Sequence, residues 1–308
     1  MRIITLGTGA GRPTLRRASS ATGLEYQGHT FLFDCGEGTQ IQLMKTPFHW
    51  GKLQAIFISH LHGDHVNGLP GLLGTLSLSD RQEPLTVFGP VGLKKLLQVH
   101  QDCQTLGLRF ELTIHEIETP QSLMQNGDYE IDTLPLDHVI PCWGYRFRES
   151  PLPGRFDAAK AQAAGIPPGP LRAELVAGRD ITMPDGRSFA SSDFVGPRRS
   201  GRSFVHCLDT KPCEAAVTLA RDTDLLLYEA TFCGEGGERA HEWGHSTARD
   251  GAEIAKAAGV GELVLTHISQ RYGDPRELLS EAETVFPKVR VASDLDIFEV
   301  RHRETPEE

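Results

Sequence analysis

Apolar and polar positions along this chain form short runs that switch between a period near two and a period near 3.6. Strand-like runs recur at Arg2–Leu6, Thr30–Phe33, Ala55–Ser59, Leu85–Phe88, Glu111–Ile117, Tyr129–Leu136, Ser203–Leu208, Leu225–Tyr228, Leu263–Thr266, Arg290–Ala292 and Asp296–Val300. Helical stretches lie between some of them: Val91–Leu106 after Gly89-Pro90, then Thr247–Ala258 and Pro275–Phe286. The Thr247–Ala258 stretch follows the capping candidates His245 and Ser246, has the Thr247-x-x-Asp250 spacing of a capping box, and stops at Gly259. Pro275–Phe286 has Asp274 placed as N-cap and Pro275 at the first helical position. Strands and helices mixed in this way predict an α/β or α+β layered fold.

One region breaks the pattern. From about Glu149 to Arg202 the punctuation is dense: Pro151, Pro153-Gly154, Pro167-Pro168-Gly169-Pro170, Pro184-Asp185-Gly186 and Gly196-Pro197. A short helix is predicted over Ala158–Ala164. The segment reads as an insertion that protrudes from the core. Charge sets it apart too. Arg146 to Arg202 holds ten basic residues against six acidic ones, a balance of +4, while the whole chain carries −10 and the remainder therefore −14. Net acidity argues against generic adhesion to nucleic acid, and composition alone reads the basic segment as a solvated loop region.

Length and composition narrow the class. At 308 residues, 39% hydrophobic and 23% charged, the chain is an ordinary globular protein with a sizeable core. No run approaches the roughly 18 apolar residues of a membrane helix. Met1–Gly7 lacks a signal peptide's long apolar core, so the expected location is the cytoplasm. Cysteines 35, 103, 142, 207, 213 and 233 form no C-x-x-C pair and are expected to be reduced and mostly buried.

The chemistry concentrates in His60-Leu61-His62-Gly63-Asp64-His65, right after an apolar run. Imidazole and carboxylate are the usual ligands of zinc and similar metals, and this density serves more than one ion. The remaining ligands should also follow strands, where loops collect sites. His138, Asp209 and His267 do so. Asp34, ending Thr30–Phe33, is either a turn aspartate ahead of Cys35-Gly36 or a carboxylate that orients a ligating imidazole through its free N–H. His245, at a helix start, is either a cap neighbour or a group facing phosphate. Gly7-Thr8-Gly9-Ala10-Gly11 reads as a tight turn, since no Walker lysine follows it.

The His60–His65 pattern with His138, Asp209 and His267 resembles the metallo-β-lactamase superfamily. Gly7–Thr14, Phe33–Gln40, Ile58–His65, Gly68–Leu72, Pro167–Pro170, Gly244–Thr247 and Leu265–Tyr272 together resemble the ribonuclease Z family, the short form of the tRNA 3′-processing endonucleases. The resemblance spans nearly the whole chain, insertion included. It implies an αββα four-layer sandwich as a single domain over 1–308, with 149–202 as a flexible arm that clamps tRNA. It implies two zinc ions, or manganese: one held by His60, His62 and His138, the other by Asp64, His65 and His267, with Asp209 bridging.

The implied reaction is cleavage of precursor tRNA after the discriminator nucleotide, leaving a tRNA 3′-OH and a trailer 5′-phosphate. Asp64 would accept a proton, His245 would stabilise or protonate the departing oxygen, and arm residues such as Arg155, Lys160, Arg172 and Arg179 would contact tRNA phosphates. Homodimerisation is implied as well. Two departures stand out: Leu208-Asp209-Thr210 where the family has Gly-Asp-Thr, and Tyr228-Glu229-Ala230-Thr231 where it has His-Glu-Ala-Thr. The rival readings are a small-molecule hydrolase (arylsulfatase-, lactonase- or phosphodiesterase-like) on the same fold, and a non-catalytic metal-dependent RNA-binding protein.

Overall fold

A computed structural model of the chain describes residues 1–301. Its strands are β1 (Arg2–Gly7), β2 (Gly9–Ala10), β3 (Ala21–Tyr26), β4 (His29–Phe33), β5 (Leu53–Phe57), β6 (Leu85–Pro90), β7 (Leu112–Ile117), β8 (Gln121–Gln125), β9 (Tyr129–Leu136), β10 (Cys142–Glu149), β11 (Ile181–Thr182), β12 (Ser188–Phe189), β13 (Ser203–Cys207), β14 (Leu225–Glu229), β15 (Glu262–Thr266), β16 (Ile268–Ser269), β17 (Val289–Val291) and β18 (Ile297–Glu299). One seven-stranded sheet has the order β18-β1-β3-β4-β5-β6-β7, and a second has β17-β15-β14-β13-β10-β9-β8.

Alternation along the strands builds the layers. In β4 and β5, Phe31, Phe33 and Phe57 point one way and meet Tyr145, Phe147 and Phe204 of the second sheet, at centroid distances of 5.4–5.9 Å. Leu32 and Ile56 point the other way, into a core shared with Leu72, Leu73 and Leu76 of the helix Leu69–Leu78. Val205 and Cys207 of β13 likewise face a core holding Ala252 and Ala255 of the helix Ala248–Ala258 and Leu278 of the helix Arg276–Glu283. Aromatic residues therefore join the sheets and aliphatic residues seat the helices, an α/β sandwich with helices on both outer faces.

The second compact unit comprises Gly127–Tyr129 and Glu149–Gly201. It has a small core of its own: Ala161, Ile166, Leu175, Ile181 and Phe194. The predicted helix spans Ala158–Ala163, capped by the Asp157 carboxylate, which accepts from the Lys160 N–H at 2.7 Å. A second helix, Pro170–Val176, and the hairpin β11–β12 complete the unit.

Several expected elements differ. Val91–Leu106 is helical only over Leu93–Asp102, because Gly92 at φ 107° starts it and Gln104 at φ 55° lies past its end. The helix Ala248–Ala258 is capped by Thr247 itself, whose box with Asp250 forms as expected, and not by His245 or Ser246. The last helix is counted from Arg276 with Pro275 at the cap, yet the Asp274 carboxylate still accepts from the Arg276 N–H at 3.0 Å. All six cysteines are free, but only Cys35, Cys142 and Cys207 are buried.

Two glycines set how closely the loops after β4 and β5 approach. A Cβ on Gly68 would lie 1.9 Å from the Gly36 carbonyl oxygen, and one on Gly36 would lie 2.2 Å from the Asp64 carbonyl oxygen. Gly68→Ala is therefore expected to destabilise the fold by about 3 kcal/mol, at the upper end of ordinary overpacking. Thermal unfolding of the variant checks this, and an unchanged Tm would refute it.

Candidate metal centre

The loops that follow parallel strands collect at one sheet edge, as the β4–β5 and β13–β14–β15 pairings require. Asp34 follows β4, His60–His65 follows β5, His138 follows β9, Asp209 follows β13, and His267 follows β15; Glu229 closes β14. Three of these turn the chain in the left-handed region: Asp34 at φ 59°, Asp209 at φ 51° and His267 at φ 54°. That conformation costs a non-glycine residue about 1 kcal/mol and is found where a site over-determines the backbone.

Donor atoms converge in two groups. His60 Nε2 lies 3.0 Å from His62 Nδ1, and His138 Nε2 lies 3.2 Å from the same atom. Asp209 Oδ2 is 3.5 Å from His60 Nε2 and 3.9 Å from His138 Nε2. In the other group, His65 Nε2 and His267 Nε2 are 3.2 Å apart, and Asp64 Oδ2 is 3.5 Å and 3.4 Å from them. Asp209 Oδ1 lies 3.1 Å from His65 Nε2 and 3.2 Å from His267 Nε2. Each group is a set of ligand atoms able to hold one metal ion. Two ligand atoms on a tetrahedron of roughly 2.1 Å radius lie about 3.4 Å apart, so these spacings suit zinc. Asp209 offers one oxygen to each group, and its Oδ1 is buried without a hydrogen bond, as expected of an atom that serves a cation.

Tautomers are set from behind. His65 Nδ1 meets Asp34 Oδ2 at 2.8 Å, and His60 Nδ1 meets Ser59 Oγ at 3.0 Å, which itself donates to Asp34 at 2.8 Å. His138 Nδ1 donates to the Gly244 carbonyl at 2.8 Å. His267 Nδ1 meets Thr231 Oγ1 at 2.9 Å, and that hydroxyl donates to Glu229 at 2.8 Å. With every Nδ1 proton engaged, all four rings present a bare Nε2 to the cluster.

Charge acts differently on the individual rings. Burial, reinforced by His65, pushes His60 down to about 3 in spite of Asp209 and Asp34. Burial also lowers His138. His65 is equally buried, but the charges of Asp209 and Asp34 outweigh desolvation and raise it well above the usual imidazole range. Burial would raise Asp34, Asp64 and Asp209, yet their histidine partners hold all three below the ordinary carboxylate range. Among the described residues no Lys or Arg pairs with these carboxylates. Cations held among these donors would satisfy them.

His245 differs from the others. Its Nδ1 meets Glu229 Oε1 at 3.1 Å and its side chain is 17% exposed. Burial lowers its affinity for a proton, but the Glu229 carboxylate overrides that and raises it to about 9. Sequence reading missed Glu229, which also accepts from the Thr210 N–H at 2.6 Å and the Ser246 N–H at 3.0 Å. Its position as the last residue of a strand was the available signal. Also missed was the Gly11 N–H, which donates to Asp64 Oδ2 at 2.8 Å. The glycine turn sits there because β2 pairs with β16, next to His267. The two departures are absorbed by the core: Leu208 is buried, and Tyr228 is buried with its hydroxyl 3.3 Å from Ser246 Oγ.

The basic residues of the inserted unit are mostly engaged within it. Arg179 pairs with Glu174, and Arg172 donates to the Ile166 carbonyl at 2.6 Å. Lys160 lies over the Phe194 ring at 5.6 Å and keeps its charge exposed, and Arg155 is exposed.

Comparison with known proteins agrees with this arrangement. Residues 1–141 match the model of the anti-Pycsar protein Apyc1, and residues 174–268 match that of the beta-lactamase superfamily domain. Ribonuclease Z of Acaryochloris marina is 41% identical over 310 residues, covering 98% of each chain. Ribonuclease BN of Escherichia coli K12 is 42% identical over 306 residues, covering 97% of this chain and all of that one. The crystal structure of human tRNase Z, short form, superposes with a TM-score of 0.71 at 29% identity, over 98% of this chain and 100% of that one. With a bridged pair of donor sets at the sheet edge and this likeness along its length, the chain belongs to the ribonuclease Z family, within the metallo-β-lactamase superfamily.

Proposed function

We propose that this chain is an endoribonuclease that removes the 3′ trailer from tRNA precursors, cutting after the discriminator nucleotide. The observation that carries the reading is the single carboxylate Asp209, one oxygen beside each of two donor sets, with the His245–Glu229 pair next to it. His60, His62 and His138 would hold one zinc ion and Asp64, His65 and His267 the other. Bound there, the pair supplies Lewis acidity to water and to the phosphate. Manganese suits the same N/O donors.

The chain's own groups handle the protons. As water adds to phosphorus, Asp64 takes one of its protons, its Oδ2 held by the Gly11 N–H. The P–O3′ bond breaks, and His245 gives its proton to the departing O3′. The products are a tRNA 3′-OH and a trailer 5′-phosphate. The inserted unit, 149–202, acts as a flexible tRNA-binding arm, and exposed Arg155 and Lys160 contact phosphates without reading sequence. The protein works in the cytoplasm as a homodimer. No helix among the described residues is long and apolar enough to cross a membrane.

Cleavage of a precursor tRNA with both new ends mapped tests the reading. A cut elsewhere than after the discriminator overturns it. Dialysis against a chelator should abolish cleavage, and zinc should restore it. Glu229→Gln is expected to move the alkaline limb of the pH–rate profile to lower pH by about one unit or more. The sign follows from the role: His245 must be protonated to act, Glu229 raises its affinity for the proton, and removing that charge empties it at a lower pH. An unmoved limb would assign the proton to another group.

A further inference from the structure

Access to the centre is uneven. His60, His65 and His138 have fully buried side chains, whereas His245 is 17% and Asp64 12% exposed. Substrate therefore enters on the side of His245 and Asp64. Beside the loop that carries His138 two apolar side chains stand open, Val139 at 60% and Trp243 at 50% exposure. Exposed single apolar residues are common and need no explanation, but these two flank Gly244, whose carbonyl holds His138.

Gly244 fixes their position. It turns at φ 77°, and a Cβ there would lie 2.7 Å from His138 Nδ1 and 3.1 Å from Val139 Cγ1. The chain thus leaves the helix Gly237–Glu242 with Trp243 directly beside the ligand loop. The indole sits edge-on to buried Phe232 at 5.8 Å, and the Phe232 ring is 6.5 Å from that of His245. Arg239 lies over the indole at 5.9 Å and Arg271 over Phe232 at 4.6 Å. A half-exposed indole with one guanidinium over its ring and a second over the neighbouring Phe232 offers the aromatic and cationic chemistry that holds an unpaired base and its phosphate.

We propose that Trp243 is a stacking platform for the base of the nucleotide whose O3′ is released, the last nucleotide of the mature tRNA. The inference rests on the function proposed above. His245 protonates that O3′, and Trp243 lies two residues from it, so the base on the same ribose is the one within reach. Stacking works on any base, which suits a position that varies among tRNAs. Trp243 acts by positioning the nucleotide; it takes no part in proton transfer.

The test is a double-mutant cycle with the zinc-loaded full chain. Trp243→Ala should raise KM for precursor tRNA about 10- to 100-fold, while Trp243→Phe, which keeps a ring, stays near wild type. A precursor with an abasic site at the discriminator should cost the wild type a similar factor and cost Trp243→Ala almost nothing more. If the abasic penalty is the same in both proteins, or if Trp243→Ala leaves KM unchanged, the platform is refuted. Should wild type itself fail to cut after the discriminator, the underlying reading falls instead. Melting curves for both variants separate a packing defect from a stacking defect: a Trp243→Ala chain that melts early but still shows the full abasic penalty also refutes the proposal.

Discussion

Asp64→Ala is expected to lower kcat for precursor tRNA by on the order of 10³-fold or more while leaving RNA affinity unchanged. Two roles are proposed for this carboxylate, metal ligand and proton acceptor. The Gly11 N–H, His65 Nε2 and His267 Nε2 all approach Oδ2, at 2.8, 3.5 and 3.4 Å. The partners that hold Asp64 below the usual carboxylate range also make it a weak base, so it keeps a proton only briefly. With 12% of its side chain exposed, it returns that proton to solvent. Metal analysis separates the two roles. Excess zinc should refill the site in Asp64→Ala, because His65, His267 and Asp209 remain, yet turnover should stay low. Recovery to within about tenfold of wild type at full occupancy, less than general-base catalysis ordinarily contributes, would reduce Asp64 to a ligand alone.

How far such a centre can be read from sequence depends on what carries each part. The candidate ligands were legible because they are side chains at strand ends, and strands show themselves by alternation. Asp34 was legible for the same reason, as was its bond to an imidazole of the cluster, though its bonds to Ser59 were not. Glu229 ends β14 just as Asp209 follows β13, but an isolated glutamate in a strand looks like an edge polar group until Thr210, Thr231, His245 and Ser246 are seen to converge on it. Backbone donors and acceptors, the Gly11 N–H and the Gly244 carbonyl, leave no trace in residue type. Among the elements, the helix Leu69–Leu78 was hidden by Pro70, Gly71 and Gly74, whose local preferences oppose a helix that tertiary packing of Leu72, Leu73 and Leu76 enforces. Strand β3 was hidden by Gly23, which is glycine because a Cβ would meet the Phe48 ring at 2.8 Å. Strand β10 carries Gly144 and the arginines 146 and 148, so its second half read as the start of the basic segment.

Replacing residues 149–202 with an Asn-Gly turn is expected to lower kcat/KM for precursor tRNA by about 100-fold or more, chiefly through KM. The excision is geometrically mild. Antiparallel pairing of β10 with β13 places Arg148 directly opposite Ser203, so a two-residue turn closes the hairpin the pairing already defines. Neither large core of the main unit contains a residue of the excised segment, so the ligand loops should keep their scaffold. Hydrolysis of a small phosphodiester such as bis(p-nitrophenyl) phosphate should therefore persist. Full retention of precursor cleavage would show that the insert plays no part in holding the RNA. The salt dependence sharpens the point. Removing one cation that neutralises a phosphate flattens the slope of log K against log salt by roughly one unit. Arg179 is neutralised by Glu174 and Arg172 is tied to the Ile166 carbonyl, so their removal should flatten it less than removal of Arg155 or Lys160. The proposed RNA contacts therefore fall on the charges that the fold of the segment leaves unpaired, and a measured slope must follow those residues.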